Sequence, residues 1–124
     1  MRGWLAVILV SGCGGHPGGL VVTWSFAGIE EGYDHPNRVD VYVDGQPLAQ
    51  STVTPQSERN AVSVVVPDGA HTVRVVNSAL YDGVWEEHTV ANDYSIDCVW
   101  EGTVSPRDKK LDLVFDLDQG TRVR

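Results

Sequence analysis

The histidines and cysteines are the side chains in this sequence best suited to metal binding or to nucleophilic catalysis. The four histidines are His16, His35, His71 and His88. No two of them have the spacing of a helical zinc motif, and none neighbours a cysteine in a zinc pattern. Cys98 lies in the middle of an alternating segment, on the side predicted to face the core, where a thiol is buried and inert. We therefore expect no metal site and no cofactor. The alternative is a metal site whose ligands are distant in the sequence and meet only in the folded chain.

The carboxylates likewise show no catalytic arrangement. General acid–base catalysis needs two carboxyl groups across a cleft. The pairs Glu30-Glu31 and Glu86-Glu87 are adjacent in the sequence, and neighbours on a strand point to opposite faces, so neither pair converges by itself. A Gly-x-Ser-x-Gly nucleophile motif is also missing from the sequence. We therefore predict that the protein is not an enzyme.

Residues 81–88 form the best candidate for ligand binding. Two aromatic residues bracket an Asp-Gly turn here, and two carboxylates follow. If Val84 and Val90 face inward, the tryptophan between them faces solvent, where a flat ring and nearby acceptors suit a sugar or a cation. The predicted ligand-binding residues are Tyr81, Trp85, Glu86 and Glu87. The alternative is that Trp85 packs in the core or along a sheet edge. A second candidate is the polar loop of residues 27–38, with Tyr33 and His35 at its tip.

The elements that must position these residues are β-strands. Apolar and polar residues alternate with a period of two from Leu20 onwards, and no stretch shows a convincing helical period. Asp44-Gly45 predicts a tight hairpin, and Pro67-Asp68-Gly69 predicts the turn of a second hairpin over residues 60–77. Asn92-Asp93 indicates a further turn. About seven short strands with turns at regular spacing predict an antiparallel β-sandwich. The inward residues are predicted to be Leu20, Val22, Trp24, Phe26, Val39, Val41, Val43, Val62, Val64, Val66, Val73, Val75, Ile96, Cys98, Trp100, Leu111, Leu113, Phe115 and Leu117.

Length and charge narrow the classes of function. The chain has 124 residues and a formal net charge of −8, which allows one domain and disfavours binding to phosphate backbones or to anionic lipid headgroups. We expect no nucleic-acid partner. No run in the sequence reaches the roughly 18 apolar residues that a membrane-spanning helix needs.

The N-terminal segment has the order of a processing signal. Arg2 is followed by the apolar run of residues 4–10, and then by Val10-Ser11-Gly12-Cys13. These four residues resemble a bacterial lipobox, in which the cysteine is lipidated. The resemblance implies a signal peptide over residues 1–12, a lipidated Cys13 opening a glycine-rich tether over 13–19, and a domain over 20–124. The alternative is that residues 4–10 form a strand of the fold.

Two valine-rich segments of the body also resemble known surface modules. VDVYVDGQPL followed by VVVPDGAHTVRV is similar to the PEGA type, and GGLVVTWSFAG ahead of VDVYVDG resembles small Ig-like bacterial lipoproteins. The resemblance implies an Ig-like sandwich anchored in the cell envelope, in the outer membrane of a Gram-negative bacterium. We expect a non-catalytic binding or structural module, held to the membrane through its lipid, with an envelope protein or glycan as partner. The alternative is a secreted carbohydrate-binding module that uses exposed aromatics around Trp85.

Overall fold

The computed structural model describes residues 18–30, 32, 34–105 and 110–124. Within these residues the chain forms strands and no α-helix, apart from one short 3-10 turn, Val90–Asn92. The ten strands are β1 (Gly18–Ala27), β2 (Pro36–Val43), β3 (Gln46–Gln50), β4 (Thr54–Pro55), β5 (Asn60–Val66), β6 (His71–Tyr81), β7 (Val84–Glu87), β8 (Val99–Val104), β9 (Lys110–Asp116) and β10 (Gly120–Val123).

The strands form two sheets, and the predicted β-sandwich is confirmed. One sheet has the order β10-β9-β1-β5. The other has the order β3-β2-β6-β7, with β4 pairing to β2 and β8 pairing to β6. The strand count exceeds the predicted seven, because β4, β7 and β10 are only two to four residues long and give little alternation to read in a sequence.

The core lies between the two sheets and is built from the predicted alternating positions. Fully burying an aliphatic or aromatic side chain stabilises a fold by about 1.5–3 kcal/mol. The apolar side chains of this core are therefore the main source of the stability of the sandwich. Phe26, Val62, Ile96, Trp100 and Leu117 are partly buried against it. The fully or almost fully buried members among the predicted inward residues are Leu20, Val22, Trp24, Val39, Val41, Val43, Val64, Val66, Val73, Val75, Cys98, Leu111, Leu113 and Phe115.

The prediction of a hairpin over residues 60–77 is wrong. Pro67-Asp68-Gly69 does turn the chain, and Gly69 has a φ of +92°. However, β5 pairs with β1 in one sheet, and β6 pairs with β2 in the other. The turn therefore carries the chain across the sandwich, and the valines of β5 and β6 meet through the core instead of side by side. Alternation reports which face is buried, but it does not report which strand lies alongside.

The sheets are mostly antiparallel, as predicted, with one parallel pair among the described strands. β1 and β9 run parallel, with Val22 opposite Leu111 and Ala27 opposite Asp116. Since parallel strands end at the same edge of a sheet, the loops that follow β1 and β9 lie together. The predicted Asp44-Gly45 hairpin between β2 and β3 is confirmed, with φ of 50° and 83° at its two central residues.

A buried polar layer joins the two sheets next to the core. The indole Nε1 of Trp24 donates to Asn37 Oδ1 at 3.2 Å, and Asn77 Nδ2 donates to the same oxygen at 2.8 Å. Asn37 Nδ2 in turn donates to the Thr54 carbonyl oxygen at 2.8 Å. Buried polar groups are stable in a core only when they are hydrogen-bonded, so this layer fixes β1, β2, β4 and β6 relative to one another.

The two ends of the sandwich carry different features. β1 begins at Gly18, two residues before the predicted start of the domain. At this first end, His71 Nδ1 and Asp44 Oδ2 are 2.5 Å apart, and the ring's Nε2 is 2.9 Å from the Asp68 carbonyl oxygen. At the second end β1 leads into Gly28, β9 leads into Leu117, and β2 begins at Pro36. The candidate site lies at this second end.

Candidate functional site

A cavity of about 320 Å³ opens at the second end of the sandwich. Its functional side chains are those of Glu30, His35, Gln56, His88, Tyr94 and Asp118. They come from four separate loops, and Gly28, Ser95 and Leu117 complete the lining. The volume lies at the lower end of the range of small-molecule pockets. We call this feature the distal cavity.

His88 forms the floor of the distal cavity. It is 5% exposed, and its ring stacks on Tyr94 with centroids 4.2 Å apart and an interplanar angle of 30°. Phe26 lies on another side, 6.4 Å between ring centroids. Burial, with a smaller contribution from the charge of His35, lowers the pKa of His88 to about 4. The imidazole is therefore neutral at physiological pH.

Backbone hydrogen bonds hold His88 at a joint between three strands. The N–H of His88 donates to the carbonyl oxygen of Asn77 at 2.8 Å, and the N–H of Asn77 donates to that of Cys98 at 3.0 Å. The N–H of Cys98 then donates to the carbonyl oxygen of His88 at 2.8 Å. This joint is where β8 stops pairing with β6 and β7 takes over. It fixes the backbone from which the imidazole projects.

The ring nitrogens of His88 have no hydrogen-bond partner among the described residues. Nδ1 is fully buried without one, and the contact of the ring with Tyr94 is through its face. A buried polar nitrogen without a partner costs about 1–3 kcal/mol. Arg38 Nε and Asn77 Oδ1 are likewise buried without a partner among the described residues, but His88 alone of the three lines the cavity.

Tyr94 is held over His88 by the loop that follows β7. The 3-10 turn Val90–Asn92 ends in Asp93 with a φ of 68°, which confirms the predicted Asn92-Asp93 turn. The Tyr94 N–H donates to the Thr89 carbonyl oxygen at 3.1 Å, and its hydroxyl donates to Glu86 Oε1 at 3.1 Å. Burial, followed by the hydrogen bond to Glu86, raises the pKa of the Tyr94 hydroxyl. The ring is thus a neutral aromatic wall.

His35 and Gln56 form a further part of the cavity wall. The His35 N–H donates to Gln56 Oε1 at 3.3 Å, and the Gln56 N–H donates to the His35 carbonyl oxygen at 3.0 Å. The ring of Tyr81 meets the His35 ring edge-on, with centroids 5.4 Å apart. Tyr81 itself is 51% exposed. An aromatic surface therefore continues from the wall of the cavity out to solvent.

The rim is acidic. Glu30 and Asp118 are both exposed, and neither forms an ion pair within the described part of the chain, whereas Asp112 and Asp116 pair with arginines elsewhere on the surface. Gly28 leaves room for the Asp118 side chain, since a Cβ at this position would lie 2.7 Å from Asp118 Oδ2. No lysine or arginine is among the described residues that line the cavity.

The four predicted ligand-binding residues do not share one surface. Leu80 is opposite Trp85 and Tyr81 is opposite Val84 in the β6–β7 pair, and directly opposite residues share a face. Trp85 and Glu87 therefore lie on the outer face of their sheet. Tyr81 and Glu86 lie on the inner side, where Tyr81 contacts His35 and Glu86 accepts from Tyr94, beside the distal cavity.

Trp85 lies on the outer face of its sheet, as predicted, but Val84 and Val90 are not buried as predicted. Val84 shares the inner side with Tyr81, but Val84 and Val90 are 58% and 56% exposed, so the expectation that they pack inward is wrong. The guanidinium of Arg38 covers the Trp85 ring at 4.3 Å from its centroid, and the indole is half-buried. Farther along the same face, the guanidinium of Arg74 lies 6.0 Å from the centroid of Tyr42.

Of the remaining predicted residues, one lies in the core and the others lie outside the residues that the structure describes. Cys98 is fully buried, and desolvation raises the pKa of its thiol far above the ordinary value, as expected of an inert core thiol. Cys13, Glu31 and Tyr33 lie outside the described residues. In the described ranges, no group of three or more His, Cys, Asp or Glu side chains is placed to hold a metal ion.

Sequence reasoning singled out His35 and, at the end of residues 81–88, His88, but it missed Tyr94 and Asp118 and did not bring these residues into one site. The only sequence signal of Tyr94 and Asp118 is that each lies in the loop after a strand; nothing in the alternation tells that β1 and β9 end together. Searches found no family model that matches the chain. Curated proteins and solved structures gave no significant match either. In the described segments, no helix has the length and apolarity needed to cross a membrane.

Proposed function

We propose that the protein is a lipid-anchored lipoprotein of the bacterial cell envelope that acts as a non-catalytic binding module. The distal cavity is its binding site. The observation that carries the proposal is the cavity itself, with the buried His88 as its floor and the aromatic ring of Tyr94 as its wall. A neutral imidazole and a neutral phenol supply contact surface and hydrogen-bonding groups to a ligand.

The position of the cavity supports anchoring through Cys13. Gly18 opens β1, and Gly28, directly after β1, lines the cavity. The five steps from Cys13 to Gly18 span at most about 18 Å, and the strand itself covers about 30 Å. A lipid on Cys13 therefore holds the first end of the sandwich near the bilayer and points the cavity away from it. This orientation suits a module that captures a partner from the surrounding envelope.

One experiment tests the anchor and the site together. The full-length chain is expressed in a Gram-negative host, and wild type is compared with Cys13→Ala and with Tyr94→Leu. We expect wild type and Tyr94→Leu to partition into detergent, with a lipid on Cys13 found by mass spectrometry, and Cys13→Ala to lose the lipid. We expect wild type, but not Tyr94→Leu, to retain envelope components that elute from the purified protein. An unmodified Cys13 contradicts the anchor, and equal retention by wild type and Tyr94→Leu contradicts the site.

The second candidate is a secreted carbohydrate-binding module that binds through its outer sheet face. The observation that favours it is that Trp85 and Tyr42 lie on one face, each beneath an arginine side chain. A sugar ring stacks on an indole of this kind if the guanidinium moves aside. Trp85→Ala distinguishes the two candidates, since it abolishes binding at the outer face and leaves binding in the distal cavity unchanged.

A further inference from the structure

We propose that the distal cavity takes a small organic ammonium ion. This inference rests on the proposed function, because it names the class of ligand for the same site. The charges around the cavity, the aromatic groups of its walls and its size each support it.

The charges favour a cation over an anion. Both ionisable side chains on the rim, Glu30 and Asp118, are acidic and lack an ion-pair partner among the described residues. Glu86 adds a third carboxylate behind Tyr94. Because His88 is neutral at physiological pH, it does not offset these charges. His35, whose charge acts on His88, is the single group among the described lining residues that opposes a cation, and three carboxylates outweigh it. A net charge of −8 over the whole chain adds long-range attraction for cations.

The walls favour an organic cation over a hydrated metal ion. Ammonium groups are attracted to the faces of aromatic rings, and desolvation in a pocket strengthens that attraction. The Tyr94 ring lines the cavity, and Tyr81 extends the aromatic surface outwards from His35. In contrast, a metal ion needs several converging oxygen or nitrogen ligands, and the described side chains form no such cluster.

The size and the polar groups limit the ligand further. A cavity of about 320 Å³ holds a ligand of choline or diamine size, but not a folded partner. Gln56 and His88 add hydrogen-bonding groups to the lining. A ligand that carries a hydroxyl or amine group beside its cationic centre would match the polar part of this lining.

Direct binding tests the charge requirement. The full-length protein, extracted in detergent, is titrated calorimetrically with choline, 1,5-diaminopentane, glucose and acetate. We expect the two cations to bind and the neutral and anionic probes not to bind. The double variant Glu30→Gln, Asp118→Asn is isosteric at both exposed positions, and we expect it to weaken cation binding about tenfold, since each exposed charge contributes modestly. The matched control is Glu87→Gln, a carboxylate on the outer face, which should leave the affinity unchanged.

Other outcomes separate the two proposals. Glucose binding that is unaffected by the double variant overturns the cation inference. The inference also fails if neither choline nor diaminopentane binds to wild-type protein that is shown to be folded by a cooperative unfolding transition. If Tyr94→Leu abolishes retention of an envelope component but neither cation competes with that component, the cation inference fails and the proposed function stands. If Tyr94→Leu leaves retention intact, the proposed function fails as well.

Discussion

Replacing His88 with phenylalanine should remove a large part of the protein's sensitivity to acid. The ring of His88 is 5% exposed and stacks on Tyr94, so a phenyl ring fits the same space with similar contacts. Neither ring nitrogen is hydrogen-bonded to another described residue. At pH 7.5 we therefore expect His88→Phe to be within about 1 kcal/mol of wild type in its free energy of unfolding, because removing the unpartnered nitrogen offsets the strain of a slightly larger ring.

The difference in the free energy of unfolding between wild type and His88→Phe should grow as the pH falls. Burial lowers the pKa of His88 to about 4 in the folded protein, against 6.5 for an ordinary histidine. Between these values the unfolded chain binds a proton that the folded chain does not, so stability falls by about 1.4 kcal/mol for each pH unit. Down to pH 4 the loss reaches about 3 kcal/mol. The stability that depends on a neutral His88 is fully present above pH 6.5 and is lost as the pH falls towards 4. Because phenylalanine does not titrate, the variant loses none of this stability.

Urea unfolding followed by tryptophan fluorescence at pH 7.5, 6.0, 5.0 and 4.5 measures this difference directly. The carboxylates and the other histidines titrate in both proteins, so subtracting the two curves isolates His88. Histidine proton chemical shifts provide the pKa independently. A constant difference across the pH range, or a His88 resonance that titrates near 6.5, would refute the assignment of His88 as a desolvated floor of the cavity.

Two further perturbations test other parts of the fold. Gly102→Ala should cost about 1–3 kcal/mol in urea unfolding, because a Cβ at this position would lie 2.5 Å from the Trp100 ring; a cost below about 0.5 kcal/mol would show that the ring moves aside freely. The hydrogen bond to Asp44 raises the pKa of His71, so its stabilisation is fully present below pH 6.5 and is lost as the pH rises through the raised pKa. His71→Gln should therefore flatten the fall in melting temperature between pH 6.5 and 9, and an unchanged slope would contradict that coupling.

The faces of the strands could be predicted from the sequence, but their partners could not. Valines at 39, 41 and 43 face the core because a strand alternates, and this information is local. Whether β5 lies beside β6 or across from it depends on contacts between distant segments. The turn of residues 67–69 is compatible with both arrangements, since a Pro-x-Gly turn reverses the chain without fixing the sheet to which the next strand belongs.

The candidate site could be predicted only in fragments for the same reason. Tyr81 and Glu86 were selected because they lie near Trp85 in the sequence, yet the pleat sends Trp85 to the other face of the sheet. His88 lies directly after β7 and reads in the sequence as a polar residue in a loop. Its burial follows from the backbone joint with Asn77 and Cys98, which no short stretch of sequence reveals.

The parallel pairing of β9 with β1 explains why the cavity lies at one end and why it is acidic. Because both strands run in the same direction, Ala27 and Asp116 are neighbours, and the loops that follow them place Gly28 and Asp118 together on the rim. If β9 ran antiparallel to β1, Asp118 would lie about 30 Å away, at the end where β1 begins. The direction of one strand thus joins a carboxylate to the aromatic walls.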